Sequence, residues 1–266
     1  MDPTAPELIY PAWPAPTGVC AVSTTRHGGI SASPFHSLNL GLHTGDDPEA
    51  VHHNRHLLRH HLALPQDPCW LEQKHGIHVV EAGQYQTPPA ADAVVAFAPG
   101  PACVVMTADC LPVLFCDSAG SRVGAAHAGW RGLANGVLEA TVQALDCPPG
   151  ELLAWLGPCI GADAFEVGDE VRQTFLQQAP ATRQAFVPSP TGRWLADLQQ
   201  LARHRLTACG VARITAEPAC TFRDRHRFYS YRRDGRCGRM ASLIWLAGSG
   251  ISPPRDARRG TGPSPD

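Results

Sequence analysis

His75, Asp92, Asp109, Cys110, His127 and Arg131 stand at the ends of otherwise apolar runs of this chain. Two neutral imidazoles and one thiolate suit a borderline-soft ion such as zinc. Three protein ligands would leave the fourth tetrahedral position open, as catalytic zinc sites do. Cys110 and His127 equally suit a nucleophile and its base, and a buried thiol beside a satisfied core imidazole is the plain structural reading. Spacing leaves all three open. Arg131 adds a separate signal: it opens a helix between Gly129 and Gly132, where free N–H groups and the helix dipole favour a phosphate or carboxylate. Pairing with a structural carboxylate is its alternative. No P-loop, G-x-G-x-x-G after a strand, H-E-x-x-H or paired C-x-x-C pattern is present.

The elements that must position these groups follow from periodicity. Cys103–Thr107 and residues 112–116 are short, Val- and Leu-rich runs bounded by Ala108-Asp109 and by Asp117-Ser-Ala-Gly120, and they read as neighbouring buried strands. Residues 123–126 form a third strand that delivers His127 to a Gly-Trp-Arg-Gly turn, and apolar residues at 133, 137, 138, 142 and 145 give a helix over 133–145. Upstream, Val19–Thr24 is a strand leading into a polar, glycine-rich loop. Gly45-Asp-Asp-Pro48 then caps a helix carrying His52, His53, His56, His60 and His61. His52, His56 and His60 share one face, read as a solvated face beside Leu57 and Leu58. Further strands fall at 77–81, Leu152–Leu156, Arg213–Ala216 and 239–246. An element opens at 91–95, and helices run from 165–168 to about 178 and over 195–206.

Composition bounds the class. With 266 residues, 44% of them hydrophobic and 17% charged, the chain describes a soluble globular protein with a sizeable core. A formal net charge of −2 makes no case for nucleic acid or membrane binding. No signal-peptide pattern opens the chain and no apolar run reaches membrane-spanning length, so a cytoplasmic protein is expected. Its ten cysteines then read as free thiols, with Cys20, Cys103 and Cys116 acting as small hydrophobes inside strands. No internal repeat or linker interrupts residues 18–247. One α+β domain is expected there, after a flexible segment over 1–17 and before a disordered tail over 248–266.

Five blocks, Gln73-Lys-His-Gly76, Thr107-Ala-Asp-Cys-Leu-Pro112, Ala126-His-Ala-Gly-Trp-Arg-Gly132, Leu156-Gly-Pro-Cys-Ile160 and Phe228-Tyr-Ser-Tyr-Arg-Arg233, resemble those of the YfiH family. That family is described both as laccase-like multicopper polyphenol oxidoreductases and as purine nucleoside phosphorylases, and the resemblance runs over 18–247 in the family's order. It implies one zinc ion held by His75, Cys110 and His127, in a single mixed-sheet α+β domain similar to the CNF-type cysteine hydrolase toxins. It also implies phosphorolysis of adenosine, inosine, guanosine and methylthioadenosine, with deamination of adenosine to inosine. Other members of the family are described as Cys–His hydrolases that edit misincorporated amino acids in peptidoglycan precursors. A copper-dependent polyphenol oxidase is the remaining alternative, although such chemistry needs a His-rich copper cluster and the chain has no H-x-H pair.

On this reading the proton shuttle is Asp109, with Asp92 and Glu166 as further candidates. Arg131 holds phosphate, assisted by Asn39, Arg55 or the Arg232-Arg233 pair, while Phe35 or Tyr229 stacks on the base. Asn39, Arg55 and Tyr229 also have ordinary readings as a turn residue, a surface charge and a core aromatic. The expected partners are purine nucleosides and phosphate, with no nucleic acid and no membrane, and the oligomeric state is left open.

Overall fold

Runs that are apolar at every position must be covered on both faces, and the architecture supplies that cover in layers. A computed structural model describes residues 5–248. In chain order the strands are Leu8–Ile9 (β1), Val19–Thr24 (β2), Val79–Glu81 (β3), Ala93–Ala96 (β4), Cys103–Thr107 (β5), Leu111–Asp117 (β6) and Val123–Ala128 (β7). Leu152–Leu156 (β8), Glu166–Val167 (β9), Phe186–Pro188 (β10), Trp194–Ala196 (β11), Arg213–Ala216 (β12) and Met240–Leu246 (β13) follow. The helices are Pro48–His61 (α1), Trp130–Asn135 (α2), Val137–Ala144 (α3), Asp169–Gln178 (α4), Leu198–Ala208 (α5) and Tyr231–Asp234 (α6).

Two large sheets carry the core, one ordered β1-β2-β13-β5 and the other β12-β8-β6-β7-β4-β3, beside a small β10-β11-β9 sheet. Pairing is antiparallel except for β3 with β4 and β8 with β12, which makes this an α+β domain with a mixed sheet. Side chains alternate across a strand and so assign each residue to a layer. Leu114 and Cys116 of β6 join Val105 of β5 and Ile244 of β13 in the core between the sheets. Leu111, Val113 and Phe115 point the other way, to Leu138 of α3 and Leu201 of α5. On the far side Val104, Leu243 and Trp245 pack with Leu58 of α1. The order of layers is therefore helix, sheet, sheet, helices. No helix among the described residues is long and apolar enough to cross a membrane.

Several expectations change. β5 and β6 are consecutive and both fully buried, but they lie in different sheets, so the chain turns a corner between them at Ala108–Cys110 rather than forming a neighbouring pair. The helix expected over 133–145 is broken at Gly136, whose φ of +104° only glycine adopts readily. Residues 166–167 and 194–196 are strands that pair with each other before α4 and α5 begin. Leu8–Ile9 pairs with β2, so residues 5–17 include sheet rather than only the flexible lead expected over 1–17. Of the tail expected over 248–266, residues 249–266 lie outside the described residues.

α1 does more than cover a sheet. Its start is set by Asp47, which accepts from the Glu49 N–H, with Pro48 in the first turn. Its histidines point to solvent, while the inward Asn54 is fully buried. Asn54 Oδ1 accepts from the Ile30 N–H at 2.9 Å, and its Nδ2 donates to Ser31 Oγ, Ser37 O and Asn39 O. One amide thus fastens the loop 29–39 to the helix. Asn54→Ala strands these groups in a buried site and is expected to cost about 3 kcal/mol. Reversible urea unfolding measures it, and a loss below about 1 kcal/mol would mean the loop is held by other contacts.

Candidate metal centre

The corner between β5 and β6 sets Cys110. Asp109 there has φ +88° and is buried, and its carboxylate accepts from Thr221 Oγ1 (2.7 Å), Ser230 Oγ (2.9 Å) and the Arg232 N–H (2.7 Å). Its carbonyl accepts from the Ile160 N–H. His127 lies on β7 opposite Pro112, one strand over from Cys110. His75 comes from a loop that Gln73 pins to β5 through both amide atoms, donating to Met106 O at 2.8 Å and accepting from Met106 N–H at 2.7 Å.

Asp92 joins the two histidines. Its buried carboxylate accepts from three successive N–H groups, Lys74 (3.0 Å), His75 (2.9 Å) and Gly76 (2.6 Å), an arrangement that cradles an anion. This holds His75 at φ +60°, an uncommon conformation for a residue with a side chain. The same carboxylate lies 2.8 Å from His127 Nδ1, which turns Nε2 toward the cluster.

The ligand atoms of His75, Cys110 and His127 lie within 4.8 Å of one another, with Cys110 Sγ 3.8 Å from His75 Nε2. Two ligands of a tetrahedral ion at zinc bond lengths sit about 3.3–3.6 Å apart, so a small contraction completes the fit. The two imidazole rings meet edge to face at 78°. Gly129 forms the floor. A Cβ there would lie 2.8 Å from His75 Cδ2 and 3.0 Å from Cys110 Sγ, and one on Gly132 would lie 2.9 Å from Gly76 O. These glycines make room for the His75 loop.

The electrostatics match a ligand set. Burial alone would raise the Cys110 thiol, but the His127 and His75 imidazoles bring it down to about 6. Burial opposes charge on His127, but Cys110 and Asp92 raise it to about 9. Asp92 is penalised by burial yet held below the usual carboxylate range by His127 and by the N–H groups of Gly76 and Lys74. All ten cysteines are unpaired, and burial pushes Cys20 up to about 11 and Cys116 up to about 12.

A cavity of about 420 Å³ opens onto the cluster, within the range of small-molecule sites. Besides the three ligands it is lined by His43, Gln73, Met106, Thr107, Ala108, Tyr231 and Arg239, and no carboxylate is among these residues. His43 is pushed below its ordinary value by the protein packed around it and by Arg239, Arg55 and His127, so the field here is positive.

The other expected site residues lie elsewhere. Arg131 is exposed and stacked over Trp130, outside the cavity lining. The carboxylate of Asp109 is engaged with Thr221, Ser230 and Arg232, so it positions Cys110 and is not free to shuttle protons. Asn39 is buried in a turn network. Tyr229 is buried with its hydroxyl donating to Phe35 O, and Phe35 is itself buried, so neither reaches a ligand. Arg55 stacks on Trp70 and lines a separate cavity with Tyr85. Arg232 donates to Glu166 O, and Arg233 to Thr221 O, Phe222 O and Phe228 O. Glu166 accepts from Ser189 and Thr191. Sequence reasoning missed His43, Tyr231 and Arg239.

With the metal stripped, Cys110 should keep its thiolate down to about pH 6 and lose it below, whereas buried thiols stay protonated. Its alkylation by iodoacetamide, followed by peptide mass spectrometry, should rise through a midpoint near 6 and precede that of Cys20 and Cys116. A midpoint above about 8, the ordinary thiol value, would contradict the pairing with His127.

A family model described as multi-copper polyphenol oxidoreductase laccase matches residues 20–247. A purine nucleoside phosphorylase of Pseudomonas aeruginosa is 57% identical over 239 residues, covering 90% of this chain and 98% of the relative. The purine nucleoside phosphorylase YfiH of Escherichia coli is 52% identical, covering 90% and 99%. Among solved structures, the Neisseria meningitidis protein NMB0706 superposes with a TM-score of 0.88 at 50% identity, covering 91% of this chain and 99% of that one. YlmD from Geobacillus stearothermophilus gives 0.82 at 32% identity, covering 90% and 94%. The His75–Cys110–His127 corner is thus set in a chain that matches these relatives over nearly its whole length, and the chain belongs to the YfiH family of laccase-like polyphenol oxidoreductase domains.

Proposed function

We propose that this chain is a zinc-dependent purine nucleoside phosphorylase acting on adenosine, inosine, guanosine and methylthioadenosine. The observation that carries this reading is the His75–Cys110–His127 ligand set in the wall of a nucleoside-sized cavity with no carboxylate in its lining. The relatives named purine nucleoside phosphorylases support it at 57% and 52% identity. Two imidazoles and a thiolate favour zinc over harder cations. Among the described residues this is the one group of three or more such ligands, which suits a single ion and not the several coppers that multicopper oxidation needs.

Zinc bound there would supply Lewis-acid polarisation of a substrate oxygen. In phosphorolysis a phosphate oxygen bonds to ribose C1′ while the C1′–N9 bond breaks, its electron pair passing to the purine, which takes up a proton. The chain's part is to hold both reactants together in the cavity and to limit competing water. Tyr231, exposed at the cavity edge, offers an aromatic face to the base in place of the buried Tyr229. Met106 and Ala108 supply apolar wall.

Deamination of adenosine receives less support from the geometry. Zinc deaminases move protons through a carboxylate that is not a ligand. Here Asp92 and Asp109 are committed to hydrogen bonds and Glu166 lies outside the cavity lining.

A second reading has an observation of its own: Cys110, His127 and Asp92 are arranged as nucleophile, base and orienting carboxylate. It favours a Cys–His hydrolase that edits peptidoglycan precursors.

Adenosine incubated with the protein and followed by chromatography separates these readings. Adenine and ribose 1-phosphate should appear only with phosphate, and Cys110→Ala should lower turnover by roughly a hundredfold or more. Inosine formed without phosphate would mark a deaminase. Amino-acid release from a nucleotide-activated muramoyl precursor would favour the hydrolase. Full phosphorolysis by Cys110→Ala would sink the shared site.

A further inference from the structure

We infer that Arg239 and His43 form an oxyanion subsite in the metal pocket, and that its occupant is inorganic phosphate, the attacking reactant. The inference rests on the phosphorylase reading and names the residues that hold its second substrate.

Arg239 is half-buried in the cavity wall and makes no ion pair among the described residues. Its Nη1 donates to Cys237 O at 2.9 Å and Gly238 O at 3.0 Å, which fixes the guanidinium plane. Nε and Nη2 make no hydrogen bond among the described residues, and the guanidinium lies 5.9 Å from the centre of the Tyr231 ring. A guanidinium held by main-chain carbonyls, with an edge free toward a cavity, suits a two-pronged contact with a tetrahedral oxyanion. The stem is held as well, since a Cβ on Gly41 would lie 2.8 Å from Arg239 Cγ.

One buried side chain sets both members of the pair. Asn39 Oδ1 accepts from the Arg239 N–H at 2.9 Å and the Gly41 N–H at 3.0 Å. Its Nδ2 donates to Thr44 Oγ1 and Asp46 Oδ2, both at 2.9 Å. This closes the Leu42–Thr44 turn that carries His43. Asn39 is therefore a positioning residue: it binds the backbone of Arg239 and the turn that carries His43, and is not among the residues lining the cavity. Arg55, donating to Leu40 O and lacking an ion pair among the described residues, adds a second positive charge behind this wall. Arg131, the phosphate holder expected from sequence, is exposed over Trp130.

The test uses zinc-loaded full-length protein and inorganic phosphate, titrated calorimetrically into wild type, Arg239→Gln, Arg239→Lys and His43→Asn. Phosphate affinity should fall roughly 10- to 100-fold in Arg239→Gln, be partly kept in Arg239→Lys, and fall less in His43→Asn. In the adenosine assay the phosphate KM should rise by the same factor while the nucleoside KM moves less than about threefold. Zinc content and thermal midpoint of each variant show that the fold and metal site persist. Phosphate bound equally well by folded Arg239→Gln would overturn the subsite, as would the absence of phosphate binding by wild type. If phosphate binds through Arg239 and no nucleoside is cleaved, the subsite stands and the phosphorylase reading falls.

Discussion

A single buried carboxylate, that of Asp92, governs the site. Three consecutive N–H groups of the 74–76 loop and one imidazole nitrogen of His127 converge on it. Burying an ionised carboxylate is costly unless its oxygens are fully hydrogen-bonded, and these four contacts supply that compensation. In return the loop is held at the left-handed φ of His75, and His127 is turned to present its far nitrogen. Neither ligand would be placed by its own strand or loop alone. The His75–Cys110–His127 cluster is thus a consequence of how the β4–β7 pair of the six-stranded sheet binds the loop before β3.

A second tier of polar anchors acts at the other side of the cavity. Asn54 ties α1 to the 29–39 loop, and Asn39 at the end of that loop ties the His43 turn to the start of the last strand. Asp109 fixes the corner that carries Cys110 by binding the Thr221 and Ser230 hydroxyls and the backbone of α6. Buried amides and carboxylates, each with its partners, set the geometry that the apolar layers only roughly define. This division explains why several polar residues that resemble substrate contacts never face the cavity.

Much of the fold was legible in the sequence because runs such as Cys103–Thr107 and Leu152–Leu156 are apolar throughout and too short for helices, and the structure has them as buried strands. The same property hid their partners. A strand apolar at every position carries no signal for which sheet it joins, so β5 and β6 read as a pair although they belong to opposite sheets. Short pieces such as Glu166–Val167 and Trp194–Ala196 were hidden inside helical periodicity because tertiary pairing, not local propensity, makes them strands. The proposed metal ligands came from family resemblance, since His75, Cys110 and His127 are too far apart in the chain for spacing to join them. Arg239 carried a faint signal as an arginine just before an apolar strand, but its lack of an ion pair among the described residues is visible only in three dimensions. Arg131 was read from glycines beside a helix start, whereas in the structure Gly129 and Gly132 leave room for the His75 loop and Arg131 lies exposed over Trp130.

The central claim is that one zinc ion sits on two imidazole nitrogens and one thiolate sulfur. X-ray absorption at the metal edge of purified protein, combined with elemental analysis, tests it most directly. One zinc per chain is expected, with one sulfur at about 2.3 Å and nitrogens at about 2.0 Å, and the sulfur shell should vanish in Cys110→Ala. Copper in stoichiometric amount, or a zinc environment without sulfur, would contradict the account.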